Sequence, residues 1–161
     1  MQIAARHAEL LAAGELKRDS AQTAIVSALA ALQEKLEEVP PRGSLLWRFA
    51  ARKPEAIRGL YIWGDVGRGK SMLMDLFYDN VDIGRKQRRH FHEFMLDMHA
   101  RIRAMRESNP GDPIPKVARD IAQDTRLLCF DEMVVNNMAD AAIMSRLFAQ
   151  LMEEGVTIVT T

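Results

Sequence analysis

Gly64-Asp65-Val66-Gly67-Arg68-Gly69-Lys70-Ser71 is the stretch on which the reading of this chain turns. It follows a short apolar run, Gly59-Leu60-Tyr61-Ile62-Trp63, and opens a helical run, Met72-Leu73-Met74-Asp75-Leu76-Phe77. Strand, glycine-rich turn and helix, in that order, form the context in which G-x-x-x-x-G-K-[ST] is a phosphate loop. Gly64, Gly67 and Gly69 let the backbone take φ > 0 and approach a phosphate closely, so that successive N–H groups form an anion nest. The helix that follows adds unpaired N–H groups and the positive end of its dipole. The candidate cradle is therefore Gly64, Asp65, Val66, Gly67, Arg68, Gly69, Lys70, Ser71 and Met72. In it Lys70 reaches the β- and γ-phosphates of a nucleotide, and the Ser71 hydroxyl ligates Mg²⁺.

A phosphate loop needs an acidic partner, and Leu127-Leu128-Cys129-Phe130-Asp131-Glu132 supplies one about 60 residues downstream. A fully apolar strand of this kind is buried on both faces of a parallel sheet. The acid that ends it falls at the carboxyl edge, where open α/β sheets bind their ligands. Asp131 is suited to hold Mg²⁺ through water, sharing the octahedral shell with Ser71 and phosphate oxygens. Glu132 is suited to act as general base on an attacking water. An Asp-Glu pair favours water as acceptor, hence hydrolysis of ATP, over a small-molecule kinase that must bind an acceptor hydroxyl.

At 161 residues the chain is long enough for a domain that buries roughly 70% of its unfolded surface. A hydrophobic content of 48% and a charged content of 27% are ordinary for a globular protein. With a formal net charge of zero, no global electrostatic argument points to nucleic acid or an anionic membrane. The single cysteine, Cys129, forms no internal disulfide and suits a reducing compartment. No apolar run approaches the roughly 20 residues of a membrane-spanning helix, and the N-terminus shows neither a signal-peptide core nor a clear transit peptide. The expected location is cytoplasmic, with at most peripheral membrane association.

In chain order, residues 1–15 read as a short helix ending near Gly14. A second helix starts at Asp19-Ser20-Ala21-Gln22 and carries Ile25, Leu29, Leu32 and Leu36 at helical steps. Asp19 and Gln22 have two readings. One is a capping box, with Asp19 accepting from the Gln22 N–H. The other makes Gln22 a contact to the adenine base. Pro40-Pro41-Arg42-Gly43-Ser44 marks a boundary between a helical prefix, residues 1–43, and a nucleotide core, residues 44–161. Leu45 to Ala50 reads as a short amphipathic helix, stopped before Pro54. Residues 81–87 read as a polar loop around Gly84, and Arg88 to Phe94 alternates as a second strand. A helix over 95–107 follows, with Met95, Met98, Ile102 and Met105 facing the core. Lys116 to Gln123 and Asp140 to Glu154 are further helices, and Val156 to Thr161 is a β-branched strand. Alternating strands and helices give an α/β fold of the P-loop NTPase type, a parallel sheet flanked by helices.

Weaker signals take plainer readings. Arg85-Lys86-Gln87-Arg88-Arg89 reads as a solvated loop entering a strand, with contact to DNA or an acidic partner as the sharper alternative. His90 and His92 share one strand face and His99 lies on the next helix, but a zinc site needs three or four convergent ligands. Cys129 in a buried strand is an inert thiol.

These segments resemble the ZapE cell-division ATPases and their mitochondrial AFG-type relatives, a branch of the AAA+ P-loop ATPases. The likeness rests on Gly14-Glu15-Leu16 with Asp19-x-x-Gln22, the extended loop from Gly59 to Ser71, Met72-x-Met74-Asp75-Leu76-Phe77 and Arg89-His90-Phe91-His92-x-Phe94-Met95. It also rests on Leu128-Cys129-Phe130-Asp131-Glu132 and Ala139-Asp140-Ala141. The resemblance implies Mg²⁺-dependent ATP hydrolysis in a ring-like homo-oligomer that remodels a protein partner, with Lys70, Ser71, Asp131 and Glu132 in the roles above. In bacteria it implies an accessory role at the division ring, touching FtsZ; in mitochondria, quality control of inner-membrane proteins. It further implies the AAA+ strand order 5-1-4-3-2. After Glu132 the family reads Phe-Gln-Val-Thr-Asp, whereas this chain reads Met133-Val134-Val135-Asn136-Asn137.

The family's γ-phosphate sensor, arginine finger, sensor arginine and helical lid follow the point where these 161 residues end. The expectation is therefore a C-terminally incomplete core that binds Mg-nucleotide and turns it over slowly, since an arginine finger contributes on the order of 10³–10⁵ in rate on comparable enzymes. The alternative function on this reading is a nucleotide-binding interaction module with little hydrolysis.

Overall fold

The computed structural model describes residues 2–38, 57–64, 69–108 and 110–161. The expected boundary at Pro40–Ser44 and the helix at Leu45–Ala50 lie outside these residues. Two compact units are found, one within Met1–Gly84 together with Thr161, the other spanning Arg85–Thr160.

The first unit contains α1 (Ile3–Ala12), α2 (Ser20–Glu38), the short strand β1 (Leu60–Tyr61) and α3 (Lys70–Asn80). Gly14, at φ 76°, ends α1, and the Glu15 N–H returns to the Leu10 carbonyl at 3.0 Å. Asp19 opens α2: its Oδ1 accepts from the Ala21 N–H at 2.8 Å, and its carbonyl accepts from the Thr23 N–H at 3.0 Å. Along α2, Val26, Leu29, Leu32 and Leu36 are buried, while Ile25 is only half-buried. Leu73, Met74 and Phe77 on α3 complete the apolar interior with Ile3. Val81 and Ile83 are buried as well, so the segment read as a polar loop is anchored by two apolar side chains.

One polar side chain sits at the centre of this interior. Gln33 is 0% exposed. Its Oε1 accepts from the Ile3 N–H at 2.9 Å, and its Nε2 donates to Glu37 Oε1 at 2.7 Å and to the Asn80 carbonyl at 3.0 Å. The start of α1, the body of α2 and the end of α3 are thus joined through one amide whose donors and acceptor are used.

The second unit contains β2 (Lys86–His90), α4 (Phe91–Ser108), α5 (Ile114–Asp124), β3 (Leu127–Asp131), α6 (Met138–Glu153) and β4 (Thr157–Thr160). Its strands run parallel in the order β4-β3-β2, which agrees with the order the resemblance implies. Leu127, Leu128, Cys129 and Phe130 are all 0% exposed, as a strand enclosed on both faces requires. Leu128, Phe130 and Ile158 face a core built from Phe91, Phe94, Met95 and Met98 of α4, Ile114 and Val117 of α5, and Leu147 and Leu151 of α6.

The expected strand at Arg88–Phe94 is corrected. Strand ends at His90 and helix begins at Phe91. Phe91, Phe94, Met95, Met98 and Ile102 are buried at helical steps, and that stripe outweighs the short alternation. The strand itself is wholly polar and lies at an end of the sheet, where charged residues discourage pairing with another chain. The basic cluster is therefore mostly strand and not loop. Arg88 pairs with Asp131, and Arg89 pairs with Asp97 at 2.9 Å and lies over the Phe94 ring. His92 is on a helix, so it shares no strand face with His90.

Phe130 holds the end of β3 in place. Its ring meets Phe94 edge-on at 4.7 Å and Phe91 at 5.7 Å, and stacks with Phe148 at 5.6 Å. Truncation of Phe130 to Ala is expected to lower stability by about 3–5 kcal/mol. Denaturant unfolding of the two proteins measures this, and a loss below about 1 kcal/mol would mean that the aromatic cluster contributes little.

Candidate nucleotide-binding site

Gly69 heads α3 with φ 72° and ψ 21°, in the left-handed region. A Cβ built on it would lie 3.2 Å from Gln22 Nε2 and 3.3 Å from Met72 Cε. Conformation and space both call for glycine here. Lys70, the first residue of α3, turns its ammonium back across the loop and donates to the Gly64 carbonyl at 2.7 Å. Gly64 itself has φ 150°. One side chain thus ties the start of the loop to its end. Ser71 is exposed in the first turn of α3 and Met72 is half-buried beside it. Asp65, Val66, Gly67 and Arg68 lie outside the described residues.

A cavity of about 400 Å³ opens next to Gly64 and Lys70, lined also by Asp19, Ala21, Gln22, Ala24, Ile25 and Trp63. That volume lies in the range of small-molecule sites, and the lining is apolar with a few convergent polar groups. The half-buried Ile25 and the 79% exposed Trp63 both line this cavity. Asp19 acts as the helix cap through Ala21, while the Gln22 side chain lies against Gly69 of the loop. The capping box read from Asp19 and Gln22 therefore divides into a cap and a loop contact.

In the second unit, Asp131 is the last residue of β3. Its Oδ2 accepts from Arg88 Nε at 2.8 Å and its Oδ1 from Arg88 Nη2 at 2.9 Å, a fork-to-fork pair. Glu132 follows with φ 51°, left-handed for a residue with a Cβ, and its side chain is exposed. This geometry carries about 1–3 kcal/mol of strain and ends the strand immediately after Asp131. Beneath them burial pushes the Cys129 thiol up to about 12, so it is inert as expected.

The loop after Glu132 ends in a helix cap. Asn137 Oδ1 accepts from the Asp140 N–H at 2.8 Å, and its Nδ2 donates to Asp140 Oδ2 at 2.7 Å. Asn is among the best helix N-caps, and Asn137 fixes the start of α6. The other Asp140 oxygen meets His99 Nε2 at 2.6 Å, tying that start to α4. Sequence reading missed both Arg88 and His99 as partners of these acids. Each pair spans more than 40 positions, |i−j| 43 and 41, and no local pattern announces it.

Ser71 in the first unit and Asp131 in the second each carry a hard oxygen donor, the ligand type that Mg²⁺ takes. The G-x-x-x-x-G-K-S sequence that leads into α3 and, in the second unit, an acid ending a buried parallel strand are features of the P-loop class of proteins. The chain belongs to the AFG1-like ATPase family, whose model matches residues 1–161. It is similar to cell division protein ZapE of Escherichia coli K12, at 38% identity over 92% of this chain and 42% of that protein. It is also similar to lactation elevated protein 1 homolog B of Danio rerio, at 48% identity over 68% of this chain and 24% of that protein. An uncharacterised protein of Schizosaccharomyces pombe is 37% identical over 92% of this chain and 40% of its own length. The chain thus spans less than half the length of these relatives. No solved structure matches it.

The hydrogen bond from His99 holds the Asp140 carboxyl below its ordinary value of 3.8; burial pushes it up and the Asn137 bond pulls it down again. A depressed carboxyl contributes stability above its unfolded pKa and loses it as pH falls through the folded one. Following the Asp140 carboxyl by NMR should show a midpoint below 3.8 that rises in His99→Gln. An unmoved midpoint would mean that the pair does not form in solution.

Proposed function

We propose that this chain is the nucleotide-binding part of an ATPase that converts ATP and water to ADP and inorganic phosphate. The observation that carries this reading is the phosphate loop: left-handed Gly69 at the head of α3, with Lys70 clamped to Gly64 beside a cavity of nucleoside size. On this reading Lys70 leaves the Gly64 carbonyl for the β- and γ-phosphates, and the N–H groups of Gly64 to Met72 cradle them. Gln22 and the apolar wall of Ala21, Ile25 and Trp63 take the adenine base, the amide reading its polar edge. Ser71 and Asp131 are the residues that would hold Mg²⁺, which when bound neutralises charge on the phosphates. Glu132 accepts a proton from water as the water oxygen bonds to the γ-phosphorus and the bond to the β–γ bridging oxygen breaks.

Coupling to a protein partner, assembly into a ring and a place in the cytoplasm belong to the same proposal. Ring assembly and location are carried over from the resemblance of the sequence motifs, while the ATPase reading has the support of membership of the AFG1-like ATPase family and the cell-division context that of likeness to a protein named for cell division. No helix among the described residues is long and apolar enough to cross a membrane.

Calorimetry with Mg-ATP tests the site. Lys70→Ala should weaken binding by about 10- to 100-fold, the worth of a charge-assisted contact of about 1.5–3 kcal/mol. Glu132→Gln should keep binding while phosphate release falls by about 10²–10⁴. No binding by the unaltered chain would overturn the reading.

The base pocket has its own test. Gln22→Ala should weaken ATP by about tenfold and leave inorganic tripolyphosphate unchanged, since one hydrogen bond of about 1.5 kcal/mol is removed from the base alone. Equal loss for both ligands would place Gln22 with the phosphates.

A further inference from the structure

We propose that Arg88 is a positioning residue for the Asp131 carboxylate, holding it in a fixed orientation with lone pairs left over that would serve Mg²⁺. The proposal rests on the nucleotide-binding reading above and assigns a role to a residue outside both phosphate-site motifs.

The sheet register supplies the geometry. Arg88 is opposite Cys129 and His90 is opposite Asp131 in the parallel β2–β3 pair. Residues opposite one another in a parallel ladder share a face, so Arg88, His90, Cys129 and Asp131 lie on one side of the sheet. The Arg88 side chain runs two positions forward along that face and meets Asp131 through both forks, at 2.8 Å and 2.9 Å. Its neighbour Arg89 points to the opposite face, where Asp97 and the Phe94 ring hold it. The two arginines of one polar strand thus have separate duties.

The chemistry follows from counting lone pairs. An ionised carboxylate has about four acceptor sites, and a bidentate guanidinium uses two of them. The other two face away from Arg88 and remain for metal-bound water. A carboxylate without that fork rotates about its Cβ–Cγ bond and must be ordered each time metal binds. The pair is well placed to resist such rotation, because the two side chains are only 22% and 13% exposed. An Arg fork is geometrically specific in a way that a lysine point charge is not. Partners that orient a metal-side ligand are typically worth 10- to 100-fold in metal affinity.

The test is a thermodynamic cycle on the chain. ATP affinity is measured by calorimetry with Mg²⁺ and again in excess chelator, for the unaltered protein, Arg88→Ala and Arg88→Lys. The ratio of the two affinities reports what the metal adds. That ratio should fall by about 10- to 100-fold in Arg88→Ala, with metal-free ATP affinity unchanged. Arg88→Lys, which keeps the charge and loses the fork, should recover only a minor part of it. A larger ratio in Arg88→Ala would mean that Arg88 competes with the metal, and would overturn the proposal. An unchanged ratio with a lowered unfolding midpoint would also overturn it, leaving a purely structural pair. No nucleotide binding by the unaltered chain would overturn the function proposed above together with this one, whereas binding without a change in ratio overturns this one alone.

Discussion

The four residues Leu127 to Phe130, closed off from water on both faces, are the constraint on which the second unit depends. A strand so enclosed must find backbone partners on both sides, and it does so in β2 and β4. Its two faces then impose different neighbours. The Leu128 and Phe130 face collects the apolar stripes of α4, α5 and α6. The Cys129 face ends in Asp131, the first side chain of the strand to leave the fully buried interior. The acid stands at the strand's end because everything before it is fixed by packing.

The first unit is governed by a different economy. Its three described helices meet around Gln33, an amide that satisfies a helix start and a helix end at once. Buried polar groups of this kind specify geometry as much as they stabilise it. The end of α3 is tied to α2 through Gln33, and the beginning of α3 carries Gly69 and Lys70. Through the length of that helix, a hydrogen bond at Asn80 bears on where the Gly69 turn sits.

The second strand was the element least legible in the sequence. Lys86 to His90 contains no apolar residue, and a local rule has no reason to prefer it over the alternating Arg88 to Phe94. Two facts from outside the segment decide it. The adjacent β3 offers an open row of backbone groups, and the aromatic cluster around Phe130 draws Phe91 and Phe94 in at helical spacing. The cationic side chains then become assets, each meeting an acid supplied by another element.

The α/β alternation was determined by the sequence alone, and the candidate phosphate loop and Asp-Glu pair were legible there too, because each depends on short-range chemistry. Glycine spacing sets backbone freedom, a four-residue apolar run sets burial, and β-branching sets strand. The family resemblance was legible for the same reason, since it is carried by contiguous words. Tertiary structure alone decided that Gln22 turns toward Gly69, that Lys70 closes onto Gly64 beside a cavity, and that Asp131 is gripped by Arg88. Such partners are set by turn geometry, sheet register and helix packing, and no local spacing in the chain encodes them.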